Sequence, residues 1–276
     1  MRVSAGGLAF DVEVSGPEDG DPVLLLHGFP QSRHAWDRVA PALHGAGLRT
    51  IAPDQRGYSD GARPTGPDAY ALPLLAADAV GVLDALGVDS AHVVGHDWGA
   101  VVAWYLAARH STRVRTLTAV SFPHPEAYWY ALRNDPVQRE LSQYIAYFVS
   151  PESTAGMLAD GAALLRSLFG DAVAPEQVKR YLDLHTRPEV LDAALNWYRS
   201  GSLLAEHEGF GSVALPTTYV WSDDDRAASR MAVDRTAEHV TGPYRFVTLE
   251  GIGHWQPEQA PDRIAAEVVR QVQRHG

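Results

Sequence analysis

Val93-Val94-Gly95-His96-Asp97-Trp98-Gly99-Ala100-Val101-Val102 decides the fold. Two apolar residues enter, a glycine-flanked triplet turns the chain, and small apolar residues leave. That order reads as a short buried strand, a very tight turn and a helix. Such an elbow holds a nucleophile on a strained turn at the C-terminal edge of a sheet. Side chains in place of Gly95 and Gly99 would collide with the helix or strand packed behind the turn. The residue at the tip, Asp97, is a carboxylate. A carboxylate attacks carbon and leaves an ester, so the expected substrate is an electrophile that Asp97 can be alkylated by. An Asp here could instead only cap the following helix. The apolar strand before it and the small-residue helix after it favour catalysis.

Outward from the elbow, strand-like and helix-like stretches alternate. Upstream, Val3 to Ala5 and Leu8 to Val14 flank Gly6-Gly7 as a hairpin. Val23-Leu24-Leu25-Leu26 is a continuous apolar run, as expected of a strand buried on both faces. A helix is predicted over about Ala35 to Leu43, a strand over Thr50 to Pro53, and a helix over Asp68 to Leu86. Downstream come a helix over Ala100 to Ala108 and a strand over Leu117 to Val120. After Pro123-His124-Pro125 the texture changes. From Glu126 to Phe210 the chain is helix-like and rich in Tyr and Trp, without a clear strand. Alternation then resumes with a strand at Thr217 to Trp221, a helix at Met231 to Val240, a strand at Arg245 to Leu249 and an amphipathic helix at Ala260 to Gln273. This pattern predicts an α/β fold with a mostly parallel central sheet flanked by helices. A core of residues 1–123 and 211–276 would carry a helical cap, or lid, inserted at 124–210. Ligands in such sheets sit at the C-terminal ends of the strands, where both His27-Gly28-Phe29-Pro30 and Asp97 fall.

Composition narrows the partners. A chain of 276 residues can bury a large core, and 46% hydrophobic content is too high for disorder. A formal net charge of −11 argues against nucleic acid and anionic membranes. No run of about twenty apolar residues suggests membrane insertion. With no cysteine there is no disulfide and no thiolate chemistry. Met1 to Gly7 leads into strand-like sequence without a signal peptide's apolar core, so a cytoplasmic location is expected. Oligomeric state is not readable.

Asp97 needs a base, an orienting acid and donors for an oxyanion. His254, in the loop Glu250-Gly251-Ile252-Gly253-His254-Trp255 after the last predicted strand, stands where the base belongs. The acid is expected after a strand between Asp97 and His254. Ser222-Asp223-Asp224-Asp225-Arg226 follows one, and Asp225 is chosen ahead of Asp224. Glu126 is the only carboxylate near the alternative place one strand earlier. The backbone N–H groups of Phe29 and Trp98 are the expected oxyanion hole.

These residues add up to a resemblance. Over nearly its whole length the chain resembles the α/β-hydrolase superfamily. More narrowly it looks like the epoxide hydrolases, through His27-Gly28-Phe29-Pro30, Asp54-Gln55-Arg56-Gly57-Tyr58-Ser59, Gly95-His96-Asp97-Trp98-Gly99, the Asp225 loop and Gly253-His254-Trp255. The resemblance implies an α/β-hydrolase fold, a cis bond at Phe29-Pro30, and two cap tyrosines that hold the epoxide oxygen. Ser142-Gln143-Tyr144-Ile145-Ala146-Tyr147-Phe148 matches the first stretch, at Tyr144 with Tyr147 as the alternative. Leu195-Asn196-Trp197-Tyr198-Arg199 matches the second, at Tyr198. A phenol can donate to an oxygen that gains charge without ionising at neutral pH. The implied reaction opens an apolar epoxide to a diol through an ester on Asp97, with water as co-substrate and no metal or cofactor. His27, Phe29, Pro30, Trp98 and Trp197 are the expected substrate contacts.

Two rivals share parts of this pattern. Haloalkane dehalogenases have the same Asp elbow and need two halide-binding donors. Trp98 offers one, and Trp129 or Trp197 could offer the other, but Phe29 has no side-chain donor. A non-catalytic binding protein of the same fold would have no need to keep all three of Asp97, Asp225 and His254.

Overall fold

The computed structural model describes residues 1–201 and 210–276. Eight strands form one sheet: β1 (Arg2–Ala5), β2 (Leu8–Ser15), β3 (Asp21–Leu26), β4 (Leu48–Pro53), β5 (Ala91–His96), β6 (Val114–Val120), β7 (Thr217–Ser222) and β8 (Tyr244–Leu249). Their order is β1-β2-β4-β3-β5-β6-β7-β8. The β1–β2 and β2–β4 pairs are antiparallel and the rest are parallel. The core helices are α1 (Ala40–Gly45), α2 (Leu72–Ala85) and α3 (Trp98–Arg109). Between β6 and β7 lie α4 (Pro125–Asn134), α5 (Pro136–Leu141), α6 (Tyr144–Phe148), α7 (Ser153–Ser167), α8 (Pro175–His185) and α9 (Pro188–Arg199). After β7 come α10 (Arg230–Arg235), α11 (Gln256–Gln259) and α12 (Pro261–His275).

Strand side chains alternate between the two faces of a sheet, and the two faces carry separate cores. Leu24, Leu26, Val93, Leu117 and Ala119 join the side of α2, α3 and the helices between β6 and β7. Val23, Leu25, Val94, Val120 and Val220 pack towards α1 and α12. On α12, Ile264, Val268 and Val272 recur at helical spacing and are buried there, which makes the helix amphipathic. Because the middle strands are covered on both sides, they read as unbroken apolar runs.

Three helices differ from expectation. The predicted Ala35–Leu43 helix is a 3-10 turn, Arg33–Trp36, followed by α1. Pro41 lies in the first turn of α1, where a missing N–H costs nothing, but it prevents one continuous helix from running through. The Asp68–Leu86 stretch likewise splits into a 3-10 turn, Pro67–Tyr70, and α2, with Ala71 extended ahead of Pro73. The Met231–Val240 stretch is α10 tightened into a 3-10 turn, Thr236–His239.

Proline also punctuates the helices between β6 and β7. Pro125, Pro136, Pro175 and Pro188 each occupy the first turn of one, where the missing N–H costs nothing and a new helix can start. No strand occurs among the described residues of 124–210. The expected cap also includes 202–209, which lie outside the described residues.

Candidate active site

β3, β5, β6, β7 and β8 all end on one side of the sheet. The chain runs from β3 outward to β4, then returns past it to β5, so the loops after β3 and β5 part at this edge and leave a crevice. Asp97 stands in that crevice with φ 53° and ψ −122°, a strained conformation for a residue with a side chain. Its N–H donates to Val120 O (3.2 Å), and its carbonyl accepts from Ala100 N and Val101 N. A Cβ on Gly95 would strike the Gly99 carbonyl, and one on Gly99 would strike the Leu26 carbonyl. The two glycines thus let strand, turn and helix close on one another.

The Phe29 N–H donates to Asp97 Oδ1 (2.9 Å), and the Trp98 N–H lies close enough to lower the pKa of the carboxylate. The Phe29–Pro30 bond is cis. Burial raises the pKa of Asp97, opposed by the His254 charge and by these two N–H groups.

His254 Nδ1–H donates to Asp225 Oδ1 (3.0 Å), and Nε2 faces Asp97 Oδ2 at 3.6 Å. The Asp225 carboxylate has no exposure to solvent. It also accepts from Ala227 N (2.9 Å) and Gln256 Nε2 (2.9 Å). Burial would raise its pKa, but His254, Ser121 and Ala227 outweigh that and hold it well below the usual range. Burial would lower the pKa of His254, but Asp225 first and Asp97 second raise it to about 9. The acid and base are therefore an ion pair at neutral pH.

The elements between β6 and β7 close the site. A cavity of about 630 Å³ is lined by Phe29, Pro30, Asp97 and His254 from below and by Tyr144, Phe148 and Tyr198 from α6 and α9. Leu141, Leu164, Leu168 and Trp255 make most of the rest of the wall apolar. The Tyr144 and Tyr198 rings are 6.4 Å apart and share a narrow recess with Asp97, Trp98 and Phe122. Burial pushes both phenols well above 10, with Asp97 adding to the rise. Both remain protonated donors at neutral pH. Tyr147 also lines the cavity, but its hydroxyl rests against Gly156 on α7.

Some expected contacts do not reach the cavity. His27 is fully buried below it, bonded to Gly28 O (3.0 Å) and Gln55 N (3.2 Å), and burial lowers its pKa to about 4. It is a neutral brace for the loop after β4, because its ring turns inward from the oxyanion loop. Trp197 is 1% exposed and donates Nε1–H to Arg56 O (2.8 Å). On α9 it turns to the core while its neighbour Tyr198 lines the cavity. The Trp98 indole meets Tyr198 at 5.1 Å and lines the recess with Asp97. Asp224 is exposed. Glu126 lies away from the site and bonds Gly211 N (3.1 Å) and His239 Nδ1 (3.1 Å).

Other contributors carry weak sequence signals. Ser121, at φ 73° after β6, puts Oγ 3.3 Å from His254 Nδ1 and bonds Asp225. Gln256, two residues past His254, fixes the far oxygen of Asp225. A serine and a glutamine in loops are ordinary, and only proximity in space distinguishes them.

Among the described residues, two clusters have metal-ligand chemistry: His124, Glu126 and His239, and Glu13, His34 and Asp37. In the first, the imidazoles stack 4.6 Å apart at 5°, so their in-plane lone pairs run parallel and do not converge on one ion. Its atoms instead bond each other and Gly211, joining the chain where it leaves the core to where it returns. In the second, both Glu13 and Asp37 face arginines, Arg33 and Arg180.

Residues 21–261 match the family model described as alpha/beta hydrolase fold. The chain is 34% identical over 268 residues to the AB hydrolase superfamily protein YfhM of Bacillus subtilis, covering 94% of this chain and 92% of that one. It is 31% identical to Epoxide hydrolase A of Mycobacterium tuberculosis, covering 97% and 95%. Among solved structures, Epoxide Hydrolase A from Mycobacterium thermoresistibile superposes with a TM-score of 0.88 at 28% identity, covering 99% of this chain and 97% of that one. With an Asp elbow, its donors and a His–Asp pair in place, the chain belongs to the α/β-hydrolase fold family and, within it, to the epoxide hydrolases.

Proposed function

We propose that this protein hydrolyses an apolar epoxide to a vicinal diol through a covalent ester on Asp97, with residues 124–210 serving as the lid of a core formed by 1–123 and 211–276. The observation that carries this reading is the pair of cap phenols, Tyr144 and Tyr198, gathered with Asp97 in one recess. Ring opening transfers charge to the epoxide oxygen, and a neutral phenol is the right donor for it. Asp97 attacks a ring carbon, the carbon–oxygen bond breaks, and a phenol gives its proton to the departing oxygen. A hydroxyalkyl ester remains on Asp97.

The second step uses the other side of the site. Alkylation consumes the Asp97 charge, one of the two that hold the proton on His254. His254 gives that proton, through solvent, to the phenolate left by ring opening, which restores the neutral phenol and makes His254 a base. It takes a proton from water, and the hydroxide adds to the ester carbonyl. The N–H groups of Phe29 and Trp98 hold the oxyanion. Collapse expels the alkoxide, which takes the proton from His254, and the diol leaves. The new carboxyl group of Asp97 gives its proton back to His254, restoring the ion pair.

A single turnover of styrene oxide in heavy-oxygen water tests this. The label is expected first in Asp97, because water attacks its carbonyl. Label found only in the diol would mean direct attack of water on the epoxide, and the covalent reading would fall.

A further inference from the structure

We infer that Glu258 is a positioning residue: its buried carboxylate ties the cap to the oxyanion loop, so that seating the cap sets the Phe29 N–H against Asp97. The inference rests on the covalent mechanism proposed above.

Glu258 lies on α11, just beyond His254, and is 5% exposed. Its Oε1 accepts from Gln31 Nε2 (2.8 Å) and from the Tyr181 hydroxyl on α8 (2.6 Å). Gln31 Oε1 accepts in turn from Gly28 N (3.1 Å) and lies 2.9 Å from His96 Nδ1. His96 Nε2 lies 2.8 Å from the carbonyl of His254. Through Gln31, one carboxylate therefore connects the cap to the loop after β3, and Gln31 packs against His96, the residue before Asp97.

The rest of α8 meets the same loop. Gln177, Tyr181 and His185 recur four residues apart on one face. Gln177 Nε2 donates to His34 O (2.5 Å) and to the Tyr181 oxygen (2.8 Å), and His185 Nε2 bonds Gln31 O (3.0 Å). Arg180 pairs with Asp37. Glu258 is the costly member of this set. Burial pushes its pKa up to about 7, and its Oε2 is buried without a protein partner. A buried acid that costs stability at the point where these segments meet is explained by the geometry it fixes.

The hole has two halves with different supports. The Trp98 N–H is fixed by the elbow, whereas the Phe29 N–H rides on the turn that Gln31 pins through Gly28. Loosening that turn should harm the step that builds an oxyanion on Asp97 more than the step in which Asp97 attacks.

Rapid-quench mass spectrometry of the intact protein with styrene oxide separates the steps, reading ester formation and ester loss as two rate constants. E258L is expected to slow ester loss by about tenfold, a fraction of what an ångström of misplacement can cost, with ester formation changed by less than about twofold. Y181F keeps the ring stacked on Phe169 and removes one donor. It is expected to slow ester loss by about threefold. E258Q retains an acceptor for both donors and should lie within about twofold of the parent. Equal slowing of both steps in Y181F and E258L, or no change in ester loss in Y181F, would overturn the inference; if E258L does not fold, Y181F and E258Q decide it. Absence of any ester in the unaltered protein would instead overturn the mechanism on which it rests.

Discussion

His254 shows how little of a residue's behaviour is set by its type. An ordinary histidine titrates near 6.5, and this one is raised to about 9 by Asp225 and Asp97. A proton held more tightly in the folded state than in the unfolded one stabilises the fold fully below pH 6.5, and that contribution is lost as pH rises through about 9. Relative to His254→Gln, the thermal midpoint of the unaltered protein is expected to fall by on the order of 5 °C between pH 6.5 and 9.5, read by calorimetry. A flat difference across that range would mean that Asp225 and Asp97 do not hold the proton. The tyrosines carry a separate expectation. Single-turnover alkylation of Asp97 should slow by about 10²-fold or more in Y144F/Y198F, with the subsequent ester hydrolysis much less affected. An unchanged alkylation rate would remove the phenols from their role. At this scale the sequence picks out candidates where spacing and order constrain the chemistry: Asp97 by its glycines, His254 and Asp225 by following strands in the expected order. It was uninformative for Ser121, Gln256 and Glu258, whose roles depend on segments that meet only in the folded chain.

Elements explain which aromatic faces the substrate. Trp197 and Tyr198 are neighbours on α9, and consecutive positions on a helix point about 100° apart. One must face the core when the other faces the cavity, and motif matching alone does not say which. The Trp197 indole is an anchor, bonded to the carbonyl of Arg56, whose guanidinium is in turn held by both oxygens of Asp78. Trp197→Phe keeps much of the packing but leaves that buried carbonyl without its donor, a loss of about 1 kcal/mol. We expect the thermal midpoint to drop by about 2–4 °C, with the pattern of epoxides accepted unchanged. An altered substrate pattern at constant stability would mean that the indole reaches the ligand after all. Helix boundaries were the least legible elements. Pro41 and Pro73 divide stretches whose apolar spacing runs through them, because that spacing reports burial and not hydrogen-bond continuity.

At the scale of the whole molecule, alternation of strand and helix was enough to predict the mostly parallel sheet, since strands buried on both faces leave unbroken apolar runs. The relation of the α4–α9 segment to the sheet was not legible, because it depends on side-chain contacts far apart in sequence, such as Tyr181 with Glu258. That relation decides the leaving group. Releasing a halide requires N–H donors that converge beside Asp97. Trp197 spends its N–H on Arg56 O, and Trp129 is not among the residues lining the cavity, so among the described residues Trp98 is left without a second indole beside it in the recess. Tyr144 and Tyr198 line the recess with Asp97, and neutral phenols suit an oxygen that must be protonated as it leaves. On the mechanism proposed above, His254→Gln removes the base and should trap whatever ester forms. Incubated with styrene oxide, this variant is expected to gain the mass of the epoxide on the peptide that contains Asp97. With 1-bromobutane it should gain no butyl group and release no bromide over the same time. A butyl adduct formed at a comparable rate would show that the recess stabilises halide as well as alkoxide, and the selectivity argued from Tyr144 and Tyr198 would be lost.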